Sequence, residues 1–120
     1  MTAFEAPGPG ESFGAYIQRA RRARGWTQRM VATELGIDFT YLSKLENGRG
    51  EPPGDETIRK LANLLDLDAE TLLALAGKVP SELRQMAQDD REFAVFLRRL
   101  PQMTPEERRR LYARADERRR

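Results

Sequence analysis

Neither cysteine nor histidine occurs among the 120 residues. Their absence removes disulfide staples, thiol nucleophiles, zinc-finger ligation and imidazole general bases together. No Walker, GxGxxG or carboxylate-dyad pattern stands in their place, so the expectation is a chain that is not an enzyme, with no catalytic residue, no metal site and no cofactor. The adjacent acids Asp89 and Asp90 read as a helix start, not as metal ligands. No apolar run reaches transmembrane length, and the N-terminus lacks the basic start and apolar core of a signal peptide. The expected location is therefore cytoplasmic, without a membrane partner.

A strong charge of one sign is also missing. The net charge of +2 is too small to argue for nucleic acid by itself. Residues 1–79 hold ten Lys and Arg against eleven Asp and Glu, whereas residues 80–120 hold eleven against eight. Any phosphate binding by the first part must come from local placement of Arg29, Lys44, Arg49 and backbone amides.

What the chain does contain is organised around Thr27 to Gly48, TQRMVATELGIDFTYLSKLENG. Thr27 caps a short helix carrying Val31 and Leu35 four apart, and Gly36 breaks it with a backbone that tolerates positive φ. Ile37 fills the corner and Asp38 caps a second helix. Leu42 and Leu45 face inward on it, leaving Phe39, Thr40, Ser43 and Lys44 on the other side. A helix face with a hydroxyl, an amine and an exposed aromatic suits a major groove, which displays donors, acceptors and the thymine methyl.

These residues, Thr27-Gln28, Val31-Ala32, Leu35-Gly36-Ile37 and Tyr41-Leu42-Ser43-Lys44-Leu45-Glu46-Asn47-Gly48, resemble the helix-turn-helix domain of lambda-type Cro and CI repressors and their XRE-like bacterial relatives. The resemblance runs from about Phe13 to about Ala76. It implies an all-α, five-helix lambda-repressor-like domain that binds double-stranded operator DNA. By the same resemblance Gln28, Asn47 and Arg49 hold phosphates, joined by Arg29 and Tyr41. Phe39, Thr40 and Lys44 touch base edges, with Ser43 on the same face, although Phe39 replaces the polar residue usual there. The resemblance also pairs Arg21 with Glu46 as a buried ion pair fixing the first helix against the recognition helix.

The remaining chain supports this unit. Residues 1–11, with Pro7-Gly8-Pro9-Gly10, are expected as a flexible arm, and residues 12–78 as the DNA-binding domain. Ser12 caps a helix with Phe13, Ile17 and Ala20 on one face, ended by Gly25, and Trp26 plugs the core. Ile58, Leu61, Ala62 and Leu65 mark a fourth helix from about Asp55 to Leu65, and Asp68 caps a fifth with Leu72, Leu73 and Ala76 inward.

Residues 79–120 are expected as a helical dimerisation or regulatory extension. Asp89 starts a helix with Glu92 at its third position. Phe93, Phe96, Leu97 and Leu100 then form a narrow apolar stripe that a helical hairpin of a second copy would cover, the alternative being that it folds back on its own DNA-binding domain. Thr104-Pro105-Glu106-Glu107 begins a last helix running to about Arg118. The expected function is a homodimeric repressor reading inverted half-sites. The alternatives are an antitoxin that binds a toxin and its own operator, or a scaffold that does not read DNA. Resemblance to small prophage and mobile-element regulators adds a metallopeptidase or toxin as a regulatory partner.

Overall fold

The computed structural model describes residues 5–117, and the chain divides into two compact units between Val79 and Pro80. All regular structure among the described residues is helical. The first unit holds α1 (Phe13–Ala23), α2 (Gln28–Leu35), α3 (Phe39–Glu46), α4 (Asp55–Leu65) and α5 (Ala69–Leu75). The second holds α6 (Ser81–Asp89), α7 (Arg91–Arg99), a 3-10 turn (Leu100–Gln102) and α8 (Pro105–Glu117).

Local chemistry sets the helix starts. The Ala15 N–H donates to Ser12 Oγ, the Met30 N–H to Thr27 Oγ1, the Thr40 N–H to Asp38 Oδ1 and the Thr71 N–H to Asp68 Oδ2, each satisfying an otherwise orphaned donor of a first turn. The bonds from Thr71 hold the Asp68 carboxyl below its ordinary value, its hydroxyl being the larger cause and its N–H the second. At the other end of α4 the chain turns on Asp66 at φ 57°, a left-handed cap without glycine.

Ile17, Val31, Leu42, Ile58, Leu61, Leu65 and Leu72 are fully buried and form the centre of the first unit. Trp26, Leu35 and Ile37 pack against that centre while half-buried. Tyr16 is buried as well, although the spacing of Phe13, Ile17 and Ala20 does not point to it. Its hydroxyl donates to the Glu5 carbonyl at 2.9 Å, so burying the ring does not strand the polar tip.

Residues 5–11 belong to the segment expected as a flexible arm. From Glu5 on, the segment is tied to α1: Arg19 Nε and Nη2 donate to the two oxygens of Glu11, each at 2.9 Å, and the Gly8 N–H donates to Glu11 Oε1. The Arg19 guanidinium first and the Gly8 amide second pull the Glu11 carboxyl down to about 2. The segment has no basic residue of its own, and both of its acids, Glu5 and Glu11, meet Arg19 on α1. The remainder of the expected arm, residues 1–4, lies outside the described residues.

Two contacts fix α1 on α3. At Gly14 the backbones approach so closely that a Cβ would collide with the Leu45 carbonyl and lie 2.8 Å from the Glu46 carbonyl oxygen. About two turns further on, Arg21 Nε donates to Glu46 Oε2 at 2.7 Å and Nη2 to Oε1 at 2.9 Å, a bidentate pair with Arg21 7% and Glu46 6% exposed. Arg21 Nη1 donates to the Trp26 carbonyl at 2.7 Å, and Gln28 Nε2 to Glu46 Oε1 at 2.9 Å. No buried side-chain nitrogen or oxygen among the described residues lacks a partner.

In the second unit no described residue is buried. The cap of α7 is Asp90, whose Oδ1 accepts from the Phe93 N–H at 3.1 Å. The expected start at Asp89 is one residue early, because Asp89 still belongs to α6. At α8, Thr104 and Glu107 exchange backbone and side-chain bonds of 2.8 and 3.1 Å, a capping box that lowers the Glu107 carboxyl below its ordinary value.

Gly14→Ala should lower stability by about 1–3 kcal/mol in urea denaturation, because the backbone clash outweighs alanine's better helix propensity. Arg21→Ala should lose about 3–5 kcal/mol by leaving the Glu46 carboxylate buried and unpaired, and the double variant Arg21→Met with Glu46→Leu should lose less than that single change. Equal losses in the single and the double would show that the carboxylate is not the penalty.

Candidate nucleic-acid interface

The turn between α2 and α3 is built by one glycine and two hydrogen bonds. Gly36 sits at φ 69°, and the N–H groups of Gly36 and Ile37 return to the Thr33 and Ala32 carbonyls at 3.2 and 3.0 Å. The chain is then extended at Asp38, which caps α3 and sets its direction. Leu42 and Leu45 are buried beneath α3, so its opposite face is held outward by the core.

On that face Phe39 is 38% and Tyr41 36% exposed, Thr40 and Lys44 are exposed, and Ser43 is half-buried. The helix ends at Asn47, followed by Gly48 at φ 73° and a bond from the Arg49 N–H to the Lys44 carbonyl at 2.9 Å. Asn47 and Arg49 are exposed beside the end of the helix. The structure therefore brings Phe39, Thr40, Tyr41, Lys44, Asn47 and Arg49 onto accessible surface of one helix and its exit, with Ser43 recessed among them.

Two residues assigned to phosphates are engaged inside the protein. Gln28 spends one amide hydrogen on Glu46, which leaves its second hydrogen and its backbone N–H at the start of α2. Arg29 lies over the Phe39 ring, its guanidinium carbon 4.7 Å from the ring centre, a cation–π contact across the turn. Neither arrangement is visible from residue type at one position, since each needs a partner on another helix.

In the second unit Phe93, Leu97 and Leu100 are half-buried, and Phe96 is 36% exposed. Val95, which the spacing does not single out, is 42% exposed beside it. Phe93, Val95 and Phe96 line a shallow groove bordered by Asp90, Glu92 and Arg99. Among the described residues there is no cluster of acidic side chains that could hold a metal ion, and no helix is long and apolar enough to cross a membrane.

A family profile described as helix-turn-helix matches residues 17–72, which include all of α2, the turn and α3. The chain is 38% identical over 79 residues to the uncharacterized HTH-type transcriptional regulator RghRB of Bacillus subtilis (strain 168), covering 63% of this chain and 57% of that protein. It is 36% identical over 69 residues to the HTH-type transcriptional repressor RghR of the same organism, covering 58% of this chain and 51% of that protein. The matched part thus spans little more than half the length of these two relatives. The ImmF control region 10 kDa protein of Bacillus phage phi105 is 38% identical over 63 residues, covering 52% of this chain and 69% of the phage protein. Among solved structures, SinR, the master regulator for biofilm formation, in complex with DNA, is similar at 28% identity and a TM-score of 0.47, over 51% of this chain and 97% of that one. From the Gly36 turn, the buried Leu42 and Leu45 and the matched sequence around them, the chain belongs to the Cro/CI-type helix-turn-helix family of transcriptional regulators.

Proposed function

We propose that the chain is a sequence-specific, double-stranded-DNA-binding repressor that works as a cytoplasmic homodimer on inverted half-sites. The observation that carries this reading is the outward ridge of α3, with Thr40 and Lys44 exposed above a buried Leu42 and Leu45. A short helix supported from below and open above fits the major groove, with its N-terminal residues nearest the base edges. The names of the similar regulators and the repressor support the same reading.

In this mechanism Thr40 and Lys44 reach base edges, with the half-buried Ser43 on the same face. Tyr41, Asn47, Arg49 and the backbone N–H groups opening α2 hold phosphates and set register. The unit carrying the ridge is not basic as a whole, so these local donors supply the electrostatic attraction. Two copies are needed because one ridge spans few base pairs, and a two-fold dimer places a second ridge about 34 Å away. The dimer contact is assigned to α7 and the turn after it, where Phe93, Leu97 and Leu100 are half-buried and Val95 and Phe96 stand exposed. The same exposed face favours a second reading, in which a toxin or a metallopeptidase docks there to control the repressor.

Binding to promoter DNA should weaken linearly in log–log form with salt, and Lys44→Ala and Thr40→Ala should flatten the preference for operator over random duplex while circular dichroism shows an unchanged fold. No retardation of promoter DNA at low salt would favour a scaffold instead. Phe96→Asp should convert the dimer to a monomer in light scattering. A dimer that persists would show that the α7 face is not the dimer contact.

A further inference from the structure

We propose that Arg29 is a base-reading residue which Phe39 positions, the two forming one composite contact that selects a guanine in each half-site. The proposal rests on the DNA-reading function above, and it reassigns both residues. Phe39 is the first residue of α3, the end of a recognition helix that lies closest to base edges, yet a phenyl ring has no donor or acceptor with which to distinguish them. The guanidinium of Arg29 lies over that ring at 4.7 Å. Among the described residues no carboxylate, carbonyl or other hydrogen-bond acceptor engages Arg29, so its N–H donors are unspent.

An exposed arginine held over a ring can offer the forked N–H edge of its guanidinium to a ligand while its charge rests on the ring. That edge matches the O6 and N7 acceptors of guanine in the major groove. An arginine bound for a phosphate needs no such platform, because a phosphate accepts donors from many directions. The placement also joins two tasks at one spot: Thr27, Gln28, Arg29 and Phe39 line the same concavity at the start of α2, where backbone N–H groups are available to the neighbouring phosphate. The phosphate would set the register in which the Arg29 edge meets its base.

The test is selection of the full chain on a random-sequence duplex pool, followed by competition binding on the enriched site. The enriched motif should contain a guanine in each half-site at which replacement by adenine, or by 7-deazaguanine lacking the N7 acceptor, weakens the wild type by about tenfold to a hundredfold. Arg29→Ala should abolish that ratio at this position and keep the preferences at the others. Phe39→Leu, which preserves apolar bulk but removes the ring face, should reduce the same ratio. An enriched motif on which Arg29→Ala weakens every sequence equally would overturn the proposal and make Arg29 a phosphate contact. A ratio lost in Arg29→Ala and fully kept in Phe39→Leu would overturn the positioning role of Phe39. Failure to enrich any motif would instead strike the DNA-reading function itself, and the composite contact with it.

Discussion

The reading surface depends on one carboxylate. Glu46 ends α3, and it accepts from Arg21 on α1 and from Gln28 on α2, so three helices meet at two oxygen atoms. Charges this deeply buried are tolerated only when their hydrogen-bonding capacity is filled, and here the third arm of the guanidinium is also spent, on the Trp26 carbonyl. The attraction is offset by desolvation, so the arrangement contributes more to fixing where α3 sits than to stability. Gly14 adds the steric half of the same constraint. It lets the α1 backbone rest on the carbonyl end of α3, so α1 holds that helix by shape as well as by charge.

Much of this organisation is legible in the sequence because it is local. Ser12, Thr27, Asp38, Asp68 and Thr104 announce helix starts through their own side chains, and the three- and four-residue spacing from Ile58 to Leu65 outlines α4 without any tertiary knowledge. What is hidden depends on partners distant in the chain. Glu11 and Tyr16 look like an arm acid and an ordinary helix aromatic until Arg19 and the Glu5 carbonyl are found beside them. Gln28 shows the limit of transfer by resemblance: position carries over, but an amide can serve either a ligand or a neighbouring side chain. Arg29 and Phe39 are ten apart in sequence and become one object only across the Gly36 turn. Asp89 and Asp90 are chemically alike, and the choice of cap between them was set by where α6 stops.

The two units expose contrasting surfaces. Along α3 the outward groups are aromatic, hydroxyl and amine, carried on a dense core that fixes their direction. Along α7 the outward groups are Val95 and Phe96, set between charged Asp90, Glu92 and Arg99. The first arrangement suits discrimination, which needs donors held in place. The second suits association, in which an apolar centre supplies the driving force and a charged border limits the choice of partner.

The thin interior of the second unit carries a consequence for dosage. With no described side chain sequestered from water, that unit has little of its own to offset the conformational entropy of ordering about forty residues. If the dimer proposed above forms through α7, its assembly and the ordering of this unit are linked in one equilibrium governed by mass action. Cellular abundance would then set how many chains possess an ordered tail at all, giving a steeper response to protein level than occupancy of a preformed surface could give.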